Sequence, residues 1–118
     1  MSFHSLEEGL HFVEKFCETH QIDEEKAYKL KLIAEELITN IFKHTDAREY
    51  FLFIQVKERI SLQLEYASSY FNMQIDQPKQ QNVENLPYGG LGLFLIQQIA
   101  LKFQHSYKEG RNIFEVIL

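Results

Sequence analysis

Apolar residues recur at steps of three and four through the first part of the chain and at steps of two through much of the rest, so helices precede strands. Leu6, Leu10, Val13, Phe16 and Cys17 fit a helix from about Leu6 to Thr19, with Ser5 and Glu8 placed as a capping box. His20 and Gln21 break it. Asp23 can cap a second helix whose acidic first turn, Glu24-Glu25, suits the positive end of the helix dipole. Its buried face is Leu30, Ile33, Ala34, Leu37, Ile38, Ile41 and Phe42, and it should stop near Thr45-Asp46. YFLFIQVK (Tyr50 to Lys57) and ISLQLEY (Ile60 to Tyr66) read as paired strands turning at Glu58-Arg59, with Phe51, Phe53 and Ile54 as core residues.

From Ala67 to Gly89 the chain is polar, rich in Gln and Asn, and interrupted by Pro78 and Pro87, which marks disorder or a functional loop. Glycines and the run LFLIQQIALKF follow, with Leu91, Phe94, Leu95 and Ile99 at helical spacing. FQHSY and NIFEVIL are two last strands, joined by a turn in which Gly110 can take positive φ. The order is helix, helix, strand, strand, loop, helix, strand, strand, with no internal repeat.

The second helix carries more than a packing face. Glu36, Asn40 and His44 are four residues apart, a step that advances only ~40° around a helix, so they form one polar row at the margin of the apolar stripe. A polar seam beside a core is the plain explanation. A chemical one is available too: an amide oxygen can ligate Mg²⁺, and a carboxylate one turn away can accept a proton from a hydroxyl or water. Such a pair calls for a phosphate. Gly89, Gly90 and Gly92 supply a place for one, because glycine lets backbone approach closely and the first N–H groups of the following helix are donors. Neither a Gly-Lys-Ser/Thr loop nor a strand directly before the glycines is present, which sets aside the P-loop and the dinucleotide fold.

Composition narrows the classes. A length of 118 residues with 45% hydrophobic side chains makes one domain with a real core. A net charge of −5 argues against nonspecific binding to nucleic acid or an anionic membrane. No apolar run approaches the ~18 residues of a membrane span, and MSFHSLEEGL lacks the pattern of a secretion signal, so a cytoplasmic protein is expected. Cys17 falls on an apolar stripe and should be a buried thiol. His4, His11, His20 and His105 show no metal-ligand spacing.

EELITNIFKH, from Glu35 to His44, resembles the N-box of the GHKL ATPase superfamily, and GGLGLFLIQQIA, from Gly89 to Ala100, resembles its G2 box. The closer resemblance is to the small anti-sigma factor serine kinases of that superfamily, and YKEGRNIFEVIL is similar to their ending. It covers nearly the whole chain. It implies an α+β architecture, the two-layer α/β sandwich of the Bergerat fold, with a mixed sheet and helices on one face. By the same resemblance Glu36 is the catalytic carboxylate, Asn40 the ligand of Mg²⁺ held with ATP, Lys43 a basic residue in reach of phosphate, and His44 a residue packed near the nucleotide. Gly89, Gly90 and Gly92 wrap the phosphates. The family's Asp and Gly at the end of the second strand are missing here. LEYASSYFN places Tyr66 and Ser68, or Glu65 and Ala67 after a one-residue shift, at those positions. Glu65 is the substitute that can accept from the adenine amine.

The resemblance thus implies an ATP-dependent anti-sigma factor with serine/threonine kinase activity, whose partners are a sigma factor and an antagonist protein. The alternative is a docking module that keeps the fold without the nucleotide. A third reading is an ATPase domain that serves a separate histidine kinase partner. A homodimer is a family expectation, although Met1 to His4 leave little room for the extra strand that relatives carry.

Overall fold

The computed structural model describes residues 2–68 and 90–118. The segment expected to be a functional loop lies almost wholly outside the described residues, and so does Gly89. The chain forms β1 (Ser2–Phe3), α1 (Leu6–Thr19), α2 (Glu24–His44), β2 (Tyr50–Val56), β3 (Ile60–Ala67), α3 (Gly90–Ile99), β4 (Lys102–Lys108) and β5 (Arg111–Ile117).

Both long helices begin where their caps predict. Ser5 Oγ accepts from the Glu8 N–H at 3.2 Å, while the Glu8 carboxylate reaches back to the His4 N–H at 2.7 Å. Asp23 Oδ1 accepts from the Lys26 N–H at 3.0 Å. α2 ends as Thr45 turns its N–H and its hydroxyl onto the Ile41 carbonyl. Two elements differ from the sequence reading. β1 is present in the four residues before α1, antiparallel to the start of β2 with Ser2 opposite Phe51. α3 stops at Ile99 because the Leu101 N–H leaves the helix for the Ile117 carbonyl at 2.7 Å.

The five strands lie in the order β1-β2-β3-β5-β4, and every pairing is antiparallel. The mixed sheet implied by resemblance is therefore corrected. β3 and β4 do run in the same direction, but β5 is inserted between them, so no two neighbouring strands among the described residues are parallel. The crossover through α3 puts β4 on the edge, and the hairpin brings β5 back against β3. Glu109 and Gly110 close that hairpin, both with positive φ, at 51° and 78°.

The helices cover one face of this sheet. Leu62, Leu64 and Tyr66 of β3 and Phe114 and Val116 of β5 point into that face and are buried, packed with Leu30, Ile33, Leu37, Ile38 and Ile41 of α2. Alternate residues point to the other face. Phe51 and Phe53, expected in the core, lie on this uncovered side, and Phe53 is 50% exposed. Cys17 is buried, which raises its thiol pKa. No helix among the described residues is long and apolar enough to cross a membrane.

Candidate functional site

Two stretches more than fifty residues apart in sequence meet between α2 and α3. A Cβ built on Gly92 would overlap the Glu36 carboxylate and lie 2.6 Å from its Cδ. Only a residue without a side chain leaves that carboxylate its place against the first turn of α3. Gly92 is thus accounted for by a contact within the protein. Because the overlap is with the far end of a flexible side chain, Gly92→Ala is expected to move the unfolding midpoint by less than about 1 kcal/mol. The same variant should displace Glu36, which the carboxyl carbon chemical shift of that residue would report.

One turn along α2, Asn40 is 3% exposed. Its Nδ2 donates to the Glu36 carbonyl at 2.7 Å. The amide's donor end is spent on its own helix and the oxygen is turned away from it, the orientation a hard cation requires. Glu36 is half-buried at the same margin, so a carboxylate and an amide oxygen do share one side of the helix. Lys43 is exposed and His44 half-buried in the last turn, where positive charge complements the dipole. Gly90 opens α3. No group of three His, Cys, Asp or Glu residues able to hold a metal by themselves occurs among the described residues.

Glu65 is not brought to this region. It sits on the uncovered face, where Oε1 accepts from Gln63 Nε2 at 2.9 Å and Oε2 faces Arg111 Nη2 at 3.3 Å. The Arg111 guanidinium also lies over the Phe51 ring, 5.4 Å from its centroid. Adjacent strand residues point to opposite faces, so an ion pair on the outside leaves Tyr66 as the inward residue.

Tyr66 belongs to a polar group on the inner face that the sequence reading missed. It is directly opposite Asn112 of β5 and both are fully buried. Its ring stacks on Phe114 with centroids 6.1 Å apart, and His105 stacks on Phe114 at 4.3 Å. His105 Nε2 donates to Asn112 Oδ1 at 2.9 Å. Tyr66 Oη and Asn112 Nδ2 have no hydrogen-bond partner among the described residues. Burial pushes the Tyr66 hydroxyl pKa well above the ordinary tyrosine value. The signal was available: NIFEVIL alternates, and Asn112 shares the parity of Phe114 and Val116, a polar residue on a core register.

For ATP with Mg²⁺ the α2–α3 end fits, with an amide oxygen, a carboxylate and a glycine helix start together. The end of β3 differs, since its inward residue is a neutral phenol instead of a carboxylate.

The family described as "Histidine kinase-like ATPase domain" matches residues 3–118. Among solved structures, this chain is similar to a chain in the crystal structure of the SiaB-SiaC complex from Pseudomonas aeruginosa. The TM-score is 0.68 at 16% sequence identity, covering 100% of this chain and 88% of that one. No curated protein sequence matches.

Proposed function

The chain belongs to the histidine kinase-like ATPase domain family, and on that footing we propose that it is a cytoplasmic regulator that docks protein partners and takes ATP with Mg²⁺ between α2 and α3. The observation that carries this is the contact of the Glu36 carboxylate with Gly92, which joins the polar row of α2 to the glycine start of α3. ATP would supply the phosphoryl group, with Mg²⁺ neutralising its charge. Asn40 Oδ1 would give the ion its protein ligand, held in orientation by the bond from Nδ2 to the Glu36 carbonyl. Glu36 would accept the proton of an attacking hydroxyl on a partner protein, making the activity that of a serine/threonine kinase. Gly90 and the first N–H groups of α3 would face phosphate, and Lys43 stands on the same side of α2.

A protein partner is further supported by the fold shared with a chain from a two-protein complex. By resemblance the partners are a sigma factor and a serine-bearing antagonist. Titration calorimetry with ATP and Mg²⁺ at about 100 μM protein, near the weak end of a working site, is the test. Heat is expected from wild type and should fall at least about tenfold in affinity in Asn40→Ala, the loss of one charge-assisted contact.

Tyr66 favours a second reading. Its phenol lies where a carboxylate is expected by resemblance, fully buried and stacked on Phe114, as it would in a docking module that works without nucleotide. That module would give no heat with ATP, and its partner binding would be unchanged by Asn40→Ala.

A further inference from the structure

The other end of α2 borders a separate hollow. A rise of about 1.5 Å per residue puts Lys26 roughly 20 Å from Asn40 along the helix. There the turn between α1 and α2 and the hairpin between β2 and β3 enclose a cavity of about 250 Å³. Backbone hydrogen bonds fix both walls. Gln21 takes a φ of 52° and the Ile22 N–H bonds to the Cys17 carbonyl at 3.0 Å, while the Lys57 N–H bonds to the Arg59 carbonyl at 3.1 Å. The floor is apolar. Val56 and Ile60 are opposite each other in the hairpin, and the Leu118 N–H is tied to the Ile60 carbonyl at 2.9 Å. Val56 shares the inward parity of Leu52 and Ile54, yet it is 42% exposed.

The rim is cationic. Lys26, Lys57 and Arg59 line the cavity, and among the described residues none of these side chains makes an ion pair or a hydrogen bond. Lys15, Lys29, Lys31 and Arg111, by contrast, all pair with carboxylates. Two carboxylates share the lining: Asp23, spent on capping the Lys26 N–H, and Glu58 at the hairpin tip. In a chain of net charge −5 this is a local reversal of sign.

We propose that the cavity docks an acidic, aliphatic segment of a partner protein, with an Asp or Glu carboxylate among Lys26, Lys57 and Arg59 and an aliphatic side chain on the floor. Its volume is below the roughly 300–1,000 Å³ of pockets that bury small molecules, which suits one or two side chains. A free phosphate would leave the apolar floor uncovered. An acidic and aliphatic segment answers both surfaces. The inference rests on the protein-docking part of the reading above and is independent of its ATP part. A partner tethered here leaves the α2–α3 end open, so a second contact there gains from the raised effective concentration.

The test follows backbone amide shifts of the full chain by NMR in about 0.15 M salt, where distant charges are screened. The probe is a soluble peptide of Leu, Glu and Asp. One control replaces Leu by Ser, and another replaces the acids by Gln and Asn. The probe should shift Lys57, Glu58, Arg59 and Ile60 with a Kd below about 1 mM, and both controls should bind at least about tenfold more weakly. Lys57→Ala combined with Arg59→Ala should weaken the probe by at least about tenfold, with the rest of the spectrum unchanged. No shift at the hairpin, equal binding by either control, or tighter binding of inorganic phosphate at the same amides overturns the proposal. Should the double variant fail to fold, the peptide controls decide. Probe binding without heat from ATP would retain this docking site and remove the nucleotide reading, whereas heat from ATP without probe binding would do the reverse.

Discussion

Between pH 10 and 11.5 this protein is expected to lose about 3 kcal/mol of stability, a large part of the total of a domain that has on the order of 5–15 kcal/mol. The cause is a pair of buried phenols. Burial raises the pKa of Tyr50 and Tyr66 far above the ordinary tyrosine value of about 10. Above that value the unfolded chain gives up the two protons while the folded chain keeps them. The folded state then binds more protons, so stability falls as pH rises, by about 1.4 kcal/mol per pH unit for each residue. Well below pH 10 both states hold the protons and the effect is absent. Urea unfolding followed by circular dichroism from pH 8 to 11.5 measures the slope. Tyr66→Phe should halve it, and an unchanged slope in that variant would sink the assignment.

Gly9→Ala is expected to destabilise the fold by about 2 kcal/mol, although alanine is the better helix former by about 1 kcal/mol. Gly9 lies in α1 where Tyr50 of β2 comes up beneath it. A Cβ there would overlap the Tyr50 hydroxyl and approach Ile38 Cδ1 to 2.7 Å and Tyr50 Cζ to 3.1 Å. Neither neighbour can yield cheaply. The Tyr50 hydroxyl donates to the Ser5 carbonyl at 2.5 Å, and its ring packs between Phe3 and Phe42 with centroids 5.7 and 5.9 Å away. The added methyl must lift α1 or break that bond, and overpacking of this kind costs about 1–3 kcal/mol with the lost hydrogen bond in addition. Denaturant midpoints of the two proteins, with the slope checked to be the same, give the difference. A variant more stable than wild type would mean that Tyr50 moves freely.

The contrast between Gly9 and Gly92 shows where the sequence was informative. GGLG before an apolar run marks a helix start, and the structure has one at Gly90. Gly9 inside a helical stripe gave no sign of its partner, because Tyr50 is distant in the chain and only the sheet brings it near. α2 was legible almost to the residue, since Asp23 and Thr45 are local stop signals that the backbone uses directly. The strands were legible by their alternation, but not which face the helices cover. That is why Phe51 and Phe53 were placed in the core and Glu65 near the base, whereas all three lie on the uncovered side. One parity error moves a whole set of side chains to the other face. The short β1 escaped because two residues carry no period, and the early end of α3 because LFLIQQIALKF is apolar enough for either a helix or a strand.

The strand order has a consequence for how the molecule is made. β5, the last strand in the sequence, lies between β3 and β4 and pairs with both along its whole length. While the chain emerges from the ribosome at about 5–20 residues per second, β3 and β4 are already present yet have no neighbour to join them. Until residues 111–117 leave the exit tunnel, each exposes a free edge to other nascent chains. A stalled or clipped chain lacking this strand would leave β4 detached from the rest of the sheet, and quality-control proteases should remove it quickly.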